Sequence, residues 1–307
     1  MKDWEFYKNK KVAVVGASGY IGSLLCPKLK QAGAEVLSYK KSDGDISQGE
    51  FWRKLFSQNV DMVFHLAAYE AREPDVNLDL QINAGSVLAC LEAAKNLETK
   101  PAIVFSSSSN LAGQAEKLPV NEQTPDRPQT IYAIHKLLAE KYLQYYKDHF
   151  NISSITLRLA NVYGPSANVE LSNRVVLNKI VAAAAAGKDL QLFSNSEKIR
   201  DFVHIQDVLN AFMLAGEFAK KSREKFYVIG SGEKTSFKEI AENVLAIAKK
   251  AMGKNLQINQ SAAVLPAVEM REFVADSSAF KKLTGWMIAI KLGEGLASTF
   301  EYFKKNS

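Results

Sequence analysis

The stretch Lys11-Val12-Ala13-Val14-Val15-Gly16-Ala17-Ser18-Gly19-Tyr20-Ile21-Gly22 constrains this chain more than any other. An apolar run without a polar break reads as a strand buried on both faces. It ends at Gly16, and Gly19 and Gly22 follow at three-residue spacing. Such glycines let the backbone turn sharply and approach a ligand where a Cβ would collide. A helix starting from Tyr20-Ile21-Gly22 aims its free N–H groups and positive dipole end at a phosphate. Strand, turn and helix predict a dinucleotide-binding element, with Gly16, Ser18, Gly19, Tyr20, Ile21 and Gly22 as cofactor contacts. The spacing is G-x-x-G-x-x-G rather than G-x-G-x-x-G, so the turn alone leaves another α/β protein open.

Composition removes several alternatives. With 307 residues the chain has room for one large domain or two smaller ones. No apolar run approaches the roughly 20 residues of a membrane helix. The segment Met1-Lys2-Asp3-Trp4-Glu5-Phe6 lacks the apolar core of a signal peptide, which points to a cytoplasmic protein. Cys26 and Cys90 are the only cysteines, too few for a disulfide framework or zinc cluster. His65, His135, His149 and His204 match no metal-ligand spacing, so no metal is expected. The net charge of +6 comes from scattered lysine pairs rather than one basic stripe. That distribution argues against nucleic acid and favours small anionic ligands.

Further along, Gly33 to Lys40 reads as a second strand, whose carboxyl end normally selects the cofactor. An acidic residue there serves the ribose 2′-OH of NAD, whereas basic residues favour the 2′-phosphate of NADP. Glu35 lies at the wrong end of the strand, and the carboxyl end carries Lys40 and Lys41. NADP is therefore the favoured cofactor, with NAD possible. Asp45-Ile46 follows in a short return, and Val60 to Ala68 forms a third buried strand. His65 within it reads as a core histidine rather than a base. Leu78 to Asn96 has helical periodicity, with Leu80, Val87, Leu88, Leu91 and Ala94 on one side. Ala102-Ile103-Val104-Phe105 opens into Ser106-Ser107-Ser108-Ser109-Asn110, a hydroxyl cluster at the strand edge where chemistry sits in a parallel sheet. In the helix from Ile131 to His149, Tyr132 and Lys136 share one face about a turn apart. Alternating strands and helices over residues 1–165 predict a doubly wound parallel sheet. Return segments near 201–230 rejoin it, and residues 166–307 form mainly a smaller, mixed α/β substrate-binding lobe.

Several separated motifs together resemble an extended short-chain dehydrogenase/reductase of the nucleotide-sugar epimerase/dehydratase/reductase type. They are Gly16, Gly19 and Gly22; Ser108; Tyr132 with Lys136; Arg158 to Pro165; Arg200 to Val208; and Thr284-Gly285-Trp286. The resemblance spans nearly the whole chain and implies a Rossmann domain. It places Asp45 and Ile46 beside the adenine, runs Leu66, Ala67 and Ala68 close under the cofactor, and assigns substrate contacts to Ser108, Asn161 and Arg200. It also implies a homodimer built from the Leu78 and Tyr132 helices; the apolar face of Leu138, Tyr142 and Tyr145 suits that pairing and suits core packing equally. Three departures bear on chemistry. The serine segment ends in Leu111-Ala112-Gly113 rather than Val-Tyr-Gly, and counting back from that glycine selects Ser108. Ser109-Asn110 stand where dehydratases of this type carry Asp-Glu, so dehydration is not expected. Pro266 occupies the place of an arginine that contacts phosphate in some epimerases, leaving Arg200 as the main diphosphate reader and Arg271 nearby.

Tyrosine has a pKa of about 10 in water, so it must be acidified to act as a base. A neighbouring lysine ammonium and an oxidised nicotinamide favour the phenolate, and reaching neutrality needs roughly 4 kcal/mol. On this reading Tyr132 moves the proton on a sugar oxygen during hydride transfer, Lys136 also holds the nicotinamide ribose, and Ser108 hydrogen-bonds the reacting oxygen. The expectation is an NAD(P)-dependent oxidoreductase of a nucleotide-activated sugar, foremost an NADPH-dependent 4-keto-sugar reductase. The alternatives are a nucleotide-sugar 4-epimerase with tightly bound NAD and, remotely, a non-catalytic NADP-sensing regulator.

Overall fold

The computed structural model describes residues 4–71, 73–173, 175–261 and 270–306. The buried valine run becomes β1 (Lys11–Val15), which passes through the glycine turn into α1 (Gly22–Gln31), β2 (Glu35–Tyr39), α2 (Gly49–Phe56) and β3 (Met62–His65). There follow α3 (Val76–Leu80), a π-helical turn (Gln81–Gly85), α4 (Ser86–Ala94), β4 (Ala102–Ser108), α5 (Ile131–Phe150) and β5 (Ser154–Leu159). The chain continues through β6 (Asn161–Tyr163), α6 (Val169–Ser172), α7 (Val176–Ala185), β7 (Leu190–Leu192), β8 (Ile199–Arg200), β9 (Phe202–His204) and α8 (Ile205–Phe218). It closes with β10 (Tyr227–Ile229), β11 (Thr235–Ser236), α9 (Phe237–Met252), β12 (Ile258–Gln260), α10 (Ser278–Thr284) and α11 (Leu292–Lys305).

Six strands form one parallel sheet in the order β10-β5-β4-β3-β1-β2. The chain leaves β1 for β2 on one side and returns to β3 on the other, so a crevice opens outside the carboxyl end of β1. Alternation along β1 feeds two cores. Val12 and Val14 pack with Leu25, Leu29, Val208 and Phe212 from α1 and α8. Ala13 and Val15 pack with Trp52, Val87, Leu91 and Leu143 from α2, α4 and α5. Both faces being covered is why β1 reads as an unbroken apolar run. Trp52 is wholly buried and donates Nε1 to the Ile46 carbonyl at 2.7 Å; truncating it to alanine would cost about 3–5 kcal/mol. A third core, built from α7, α9 and α11 around Val181, Ile240, Val244, Leu296 and Phe300, underlies the later part of the chain. Among the described residues, no helix is long and apolar enough to cross a membrane.

The helical stripe expected over Leu78–Asn96 is interrupted. Val87, Leu91 and Ala94 are buried, but Leu80 is 41% exposed. The π-helical turn adds a residue per turn between them, so Leu80 rotates off the face that α4 presents to the core.

Candidate active site

The glycine turn packs on backbone before it meets any ligand. Gly16 has φ +92, and a Cβ there would lie 2.6 Å from the Ala67 amide nitrogen. Ala67 belongs to the Leu66–Ala68 segment, which continues β3 after Leu66 N donates to Val15 O at 2.9 Å. Gly22 is pressed against the Gly16 carbonyl in the same way. At Gly19 a Cβ would meet only Gly16 O, at 3.3 Å. The first turn of α1 has no side-chain cap; Ser23 N donates to Gly19 O at 3.0 Å and Leu24 N to Ile21 O at 3.1 Å, so the amides ahead of them are the ones that could meet an anion. A diphosphate fits this cradle, with Ser18, Tyr20 and Ile21 in the turn. Tyr20 itself donates its hydroxyl to Gly164 O at 2.6 Å, tying the turn to the loop after β6.

The carboxyl end of β2 is basic, as expected. Lys40 lines a cleft of about 430 Å³ with Ser18, Lys30 and Ser38. Glu35 sits at the far end of the strand, 3.3 Å from Lys11 Nζ. The Asp45 carboxylate accepts from Ser47 Oγ at 2.7 Å and Ser47 N at 2.9 Å, which holds it below the usual carboxylate range. Asp45 and Ile46 thus form the turn that starts α2.

Ser108 ends β4 and Tyr132 opens α5, whose first turn is fixed by Thr130 accepting from Ala133 N at 3.1 Å. The Ser108 hydroxyl faces Tyr132 closely enough to favour its ionised form, and it also accepts from Asn110 N at 3.2 Å. Lys136, one turn later, is 1% exposed and holds Nζ 3.9 Å above the centre of the Phe105 ring on β4. Burial dominates both ionisable groups. It pushes the Tyr132 hydroxyl up, Glu70 and Asp79 push it further, and the Ser108 hydroxyl opposes them. It pulls Lys136 down to about 7, against Glu140, Glu70 and Asp79, which favour the ammonium. The expected acidification of Tyr132 by Lys136 is therefore absent from the chain by itself, because desolvation outweighs a lysine that is only partly charged at neutral pH.

The other serines have different tasks. Ser107 points to the opposite side of β4 and donates to Glu140, a buried acid on α5. Glu140 accepts from Arg158 Nε at 3.0 Å and Nη2 at 2.6 Å, and Arg158 Nη1 reaches Asp126 at 2.6 Å. The guanidinium lies 3.4 Å from the centre of the Phe226 ring. Tyr132, Lys136 and Glu140 recur every fourth residue, so this acid was detectable from spacing.

Sequence reasoning also missed Asp79 and Asn83. Asp79 on α3 is wholly buried and accepts on Oδ1 from His135 Nδ1 at 2.7 Å and Asn83 Nδ2 at 2.8 Å. Asn83, inside the π-helical turn, accepts from Tyr69 N at 3.1 Å and donates to Tyr69 O at 2.7 Å. The only signal was two polar residues within an apolar helical pattern. His65 is a core residue: it stacks on Trp52 with ring centres 5.6 Å apart, and burial lowers it to about 3.

Of the residues expected to meet substrate, Asn161 donates Nδ2 to Asp201 O at 3.0 Å. Arg200 is 3% exposed and donates Nη1 to the backbone carbonyls of Ile199 and Arg271. Arg271 turns its guanidinium to Asn110 Oδ1, two residues beyond Ser108. Pro266 lies outside the described residues. Among the described residues, no group of three or more His, Cys, Asp or Glu could hold a metal ion.

Comparison with known proteins gives the family and the fold. The model of the NAD dependent epimerase/dehydratase family matches residues 12–230. A UDP-glucose 4-epimerase of Mycolicibacterium smegmatis is 26% identical over 97% of this chain and 99% of that protein. The dTDP-4-dehydro-6-deoxyglucose reductase of Escherichia coli is 26% identical over 80% of this chain and 84% of its own. The UDP-glucose 4-epimerase of Thermotoga maritima, solved with UDP-glucose, superposes with a TM-score of 0.84 at 25% identity, covering 96% of this chain and 99% of that one.

Proposed function

The chain belongs to the NAD-dependent epimerase/dehydratase family, and on that premise we propose that it is a nucleotide-sugar 4-epimerase. The observation that carries this reading is the meeting of Ser108, Tyr132 and Lys136 at the carboxyl edge of the sheet, with Ser109 and Asn110 where a dehydratase needs acids. The similarity to UDP-glucose 4-epimerases moves the epimerase ahead of the 4-keto-sugar reductase expected from sequence.

The bound nicotinamide supplies the reversible two-electron acceptor for the sugar carbon. The residues of the chain handle the proton and the geometry. Tyr132 takes the proton from the sugar hydroxyl as the C–H bond on the same carbon breaks, leaving a 4-keto sugar. Ser108 holds the carbonyl oxygen. After the keto sugar presents its other face, the new C–H bond at C4 forms with the hydride returned from the cofactor as Tyr132 returns the proton to the oxygen, giving the inverted alcohol. The Lys136 ammonium favours the tyrosinate and orients the cofactor ribose, and the positive charge of an oxidised nicotinamide would add to that effect. Gly16, Ser18, Gly19, Tyr20, Ile21 and Gly22 hold the diphosphate of the dinucleotide, with Asp45, Ile46 and Leu66–Ala68 beneath its adenosine half. Asn161 and Arg200 form the nucleotide-sugar side, where Arg271 adds a second guanidinium near Asn110.

A second reading, the NADPH-dependent 4-keto-sugar reductase, is favoured by one observation, the cationic cleft of Lys40, Lys30 and Ser18 at the end of β2. Extraction of the cofactor from purified protein, followed by assay with UDP-glucose, separates the two. Retained NAD with interconversion of the C4 epimers supports the epimerase. Cofactor-free protein that binds NADPH and consumes it with a 4-keto sugar would replace it with the reductase.

We also propose a homodimer through α3 and α5. Val76 and Leu80 on α3 and Ile134 and Tyr145 on α5 are 41–50% exposed. On α5 the residues Ile134, Leu138, Lys141 and Tyr145 recur at the spacing of one helix face. Light scattering should give twice the chain mass; a monomeric mass at micromolar concentration would overturn it.

A further inference from the structure

We propose that Asp79 is a positioning residue for this reaction, locking the cofactor-bearing segment after β3 to the catalytic helix α5. The inference rests on the NAD(P)-dependent reading above but not on the identity of the sugar.

One carboxylate joins three elements. From α3 it receives His135 Nδ1, which sits next to Lys136 and three residues after Tyr132 on α5. It also receives Asn83 Nδ2, and the same amide clasps both backbone groups of Tyr69. Tyr69 directly follows the Leu66–Ala68 segment, whose Ala67 supports Gly16. The floor of the cofactor crevice and the turn bearing Tyr132 and Lys136 are therefore held through a single acid. The π-helical turn is what brings Asn83 back to Tyr69 while Asp79 stays within reach of α5.

The second oxygen sharpens the argument. Asp79 Oδ2 is buried and has no hydrogen-bond partner. A carboxylate taken out of water with half its acceptors unmet is costly, and a purely structural strut would be better served by an amide. The charge makes sense where it acts on its neighbours. Lys136 is faced by Asp79 from α3, by Glu70 from the loop after β3, by Glu140 from its own helix and by the neutral His65 from β3. Of these acids Glu70 is exposed and Glu140 is occupied by Arg158, so Asp79 is the buried acid not already paired to an arginine.

Two substitutions separate charge from hydrogen bonding. Asp79→Asn keeps an acceptor for His135 and Asn83 but removes the charge. It should retain cofactor affinity and shift the alkaline limb of the kcat profile to lower pH, because Lys136 loses an anion that favours its ammonium. Asp79→Ala leaves two buried donors unpaired and should weaken dinucleotide binding about tenfold in a folded protein. Dinucleotide affinity, read by calorimetry at several pH values, needs no sugar substrate. A protein that turned over no nucleotide sugar would sink the epimerase reading and leave the dinucleotide-affinity arm of this test intact. Wild-type affinity in folded Asp79→Ala, or superimposable pH profiles for Asp79→Asn and wild type, would overturn the proposal.

Discussion

Glu140 grips Arg158 side-on, with Nε 3.0 Å from Oε1 and Nη2 2.6 Å from Oε2, and both side chains are buried. Glu140→Gln leaves the guanidinium with Asp126 alone, and breaking such a pair from one side typically costs about 3–5 kcal/mol. Equilibrium urea unfolding should show a loss of that size. A loss below about 1 kcal/mol would mean that Asp126 and the Phe226 ring satisfy Arg158 without Glu140.

Lys136 works against the fold. Its ammonium is depressed to about 7 in the folded chain, whereas the unfolded side chain titrates at its ordinary value of 10.5. Folding therefore excludes a proton between those two pH values, and the penalty is fully present below pH 7. Lys136→Met should raise stability by up to about 5 kcal/mol at pH 6 and by progressively less as the pH approaches 10. Chemical denaturation at several pH values checks both the gain and its fading. The same variant should be inactive.

Tyr132→Phe removes the proton carrier and little else. Turnover should fall by at least about 10²–10⁴-fold. Dinucleotide affinity should stay the same, since the glycine turn and Lys136 are untouched. Fluorescence titration with the cofactor, run beside a coupled epimerase assay, separates these effects. Undiminished turnover would remove Tyr132 from the mechanism.

Lys40→Asp tests the cofactor preference. An acid at the end of β2 accepts the ribose 2′-OH and repels a 2′-phosphate. Losing one charge-assisted hydrogen bond and gaining repulsion should lower NADP affinity relative to NAD by about ten- to hundredfold. An unchanged ratio of dissociation constants would show that Lys40 does not face the adenosine ribose.

The outline of this molecule was legible because backbone requirements leave marks in sequence. The valine run, the three glycines and the Tyr132–Lys136 spacing each state a local rule with one geometric solution, and the parallel sheet follows from repeating that rule. The acid frame was legible only in part. Glu140 could have been read from its place four residues after Lys136, but its partner Arg158 is a neighbour only through the sheet. Asp79 and Asn83 could not be placed, since a π-helical turn shifts the phase of a helix without any glycine or proline to announce it. The upward push on Tyr132 in the chain by itself was not legible for a related reason. Lysine proximity shows in spacing, whereas the depth of burial that outweighs it comes from packing of the whole domain.

Tyr20 stands in the glycine turn, yet its hydroxyl ends on the Gly164 carbonyl, where Asn178 also donates at 2.8 Å. A seam of this kind couples residence times. Any motion that parted the loop after β6 from the glycine turn would have to break this hydrogen bond or pull on the turn. A catalyst that reuses one cofactor over many cycles gains from a stiff seam, and one that exchanges its cofactor every cycle gains from a weak one. Tyr20→Phe, which removes that one hydrogen bond, should therefore change how long a cofactor is retained more than how tightly the sheet packs.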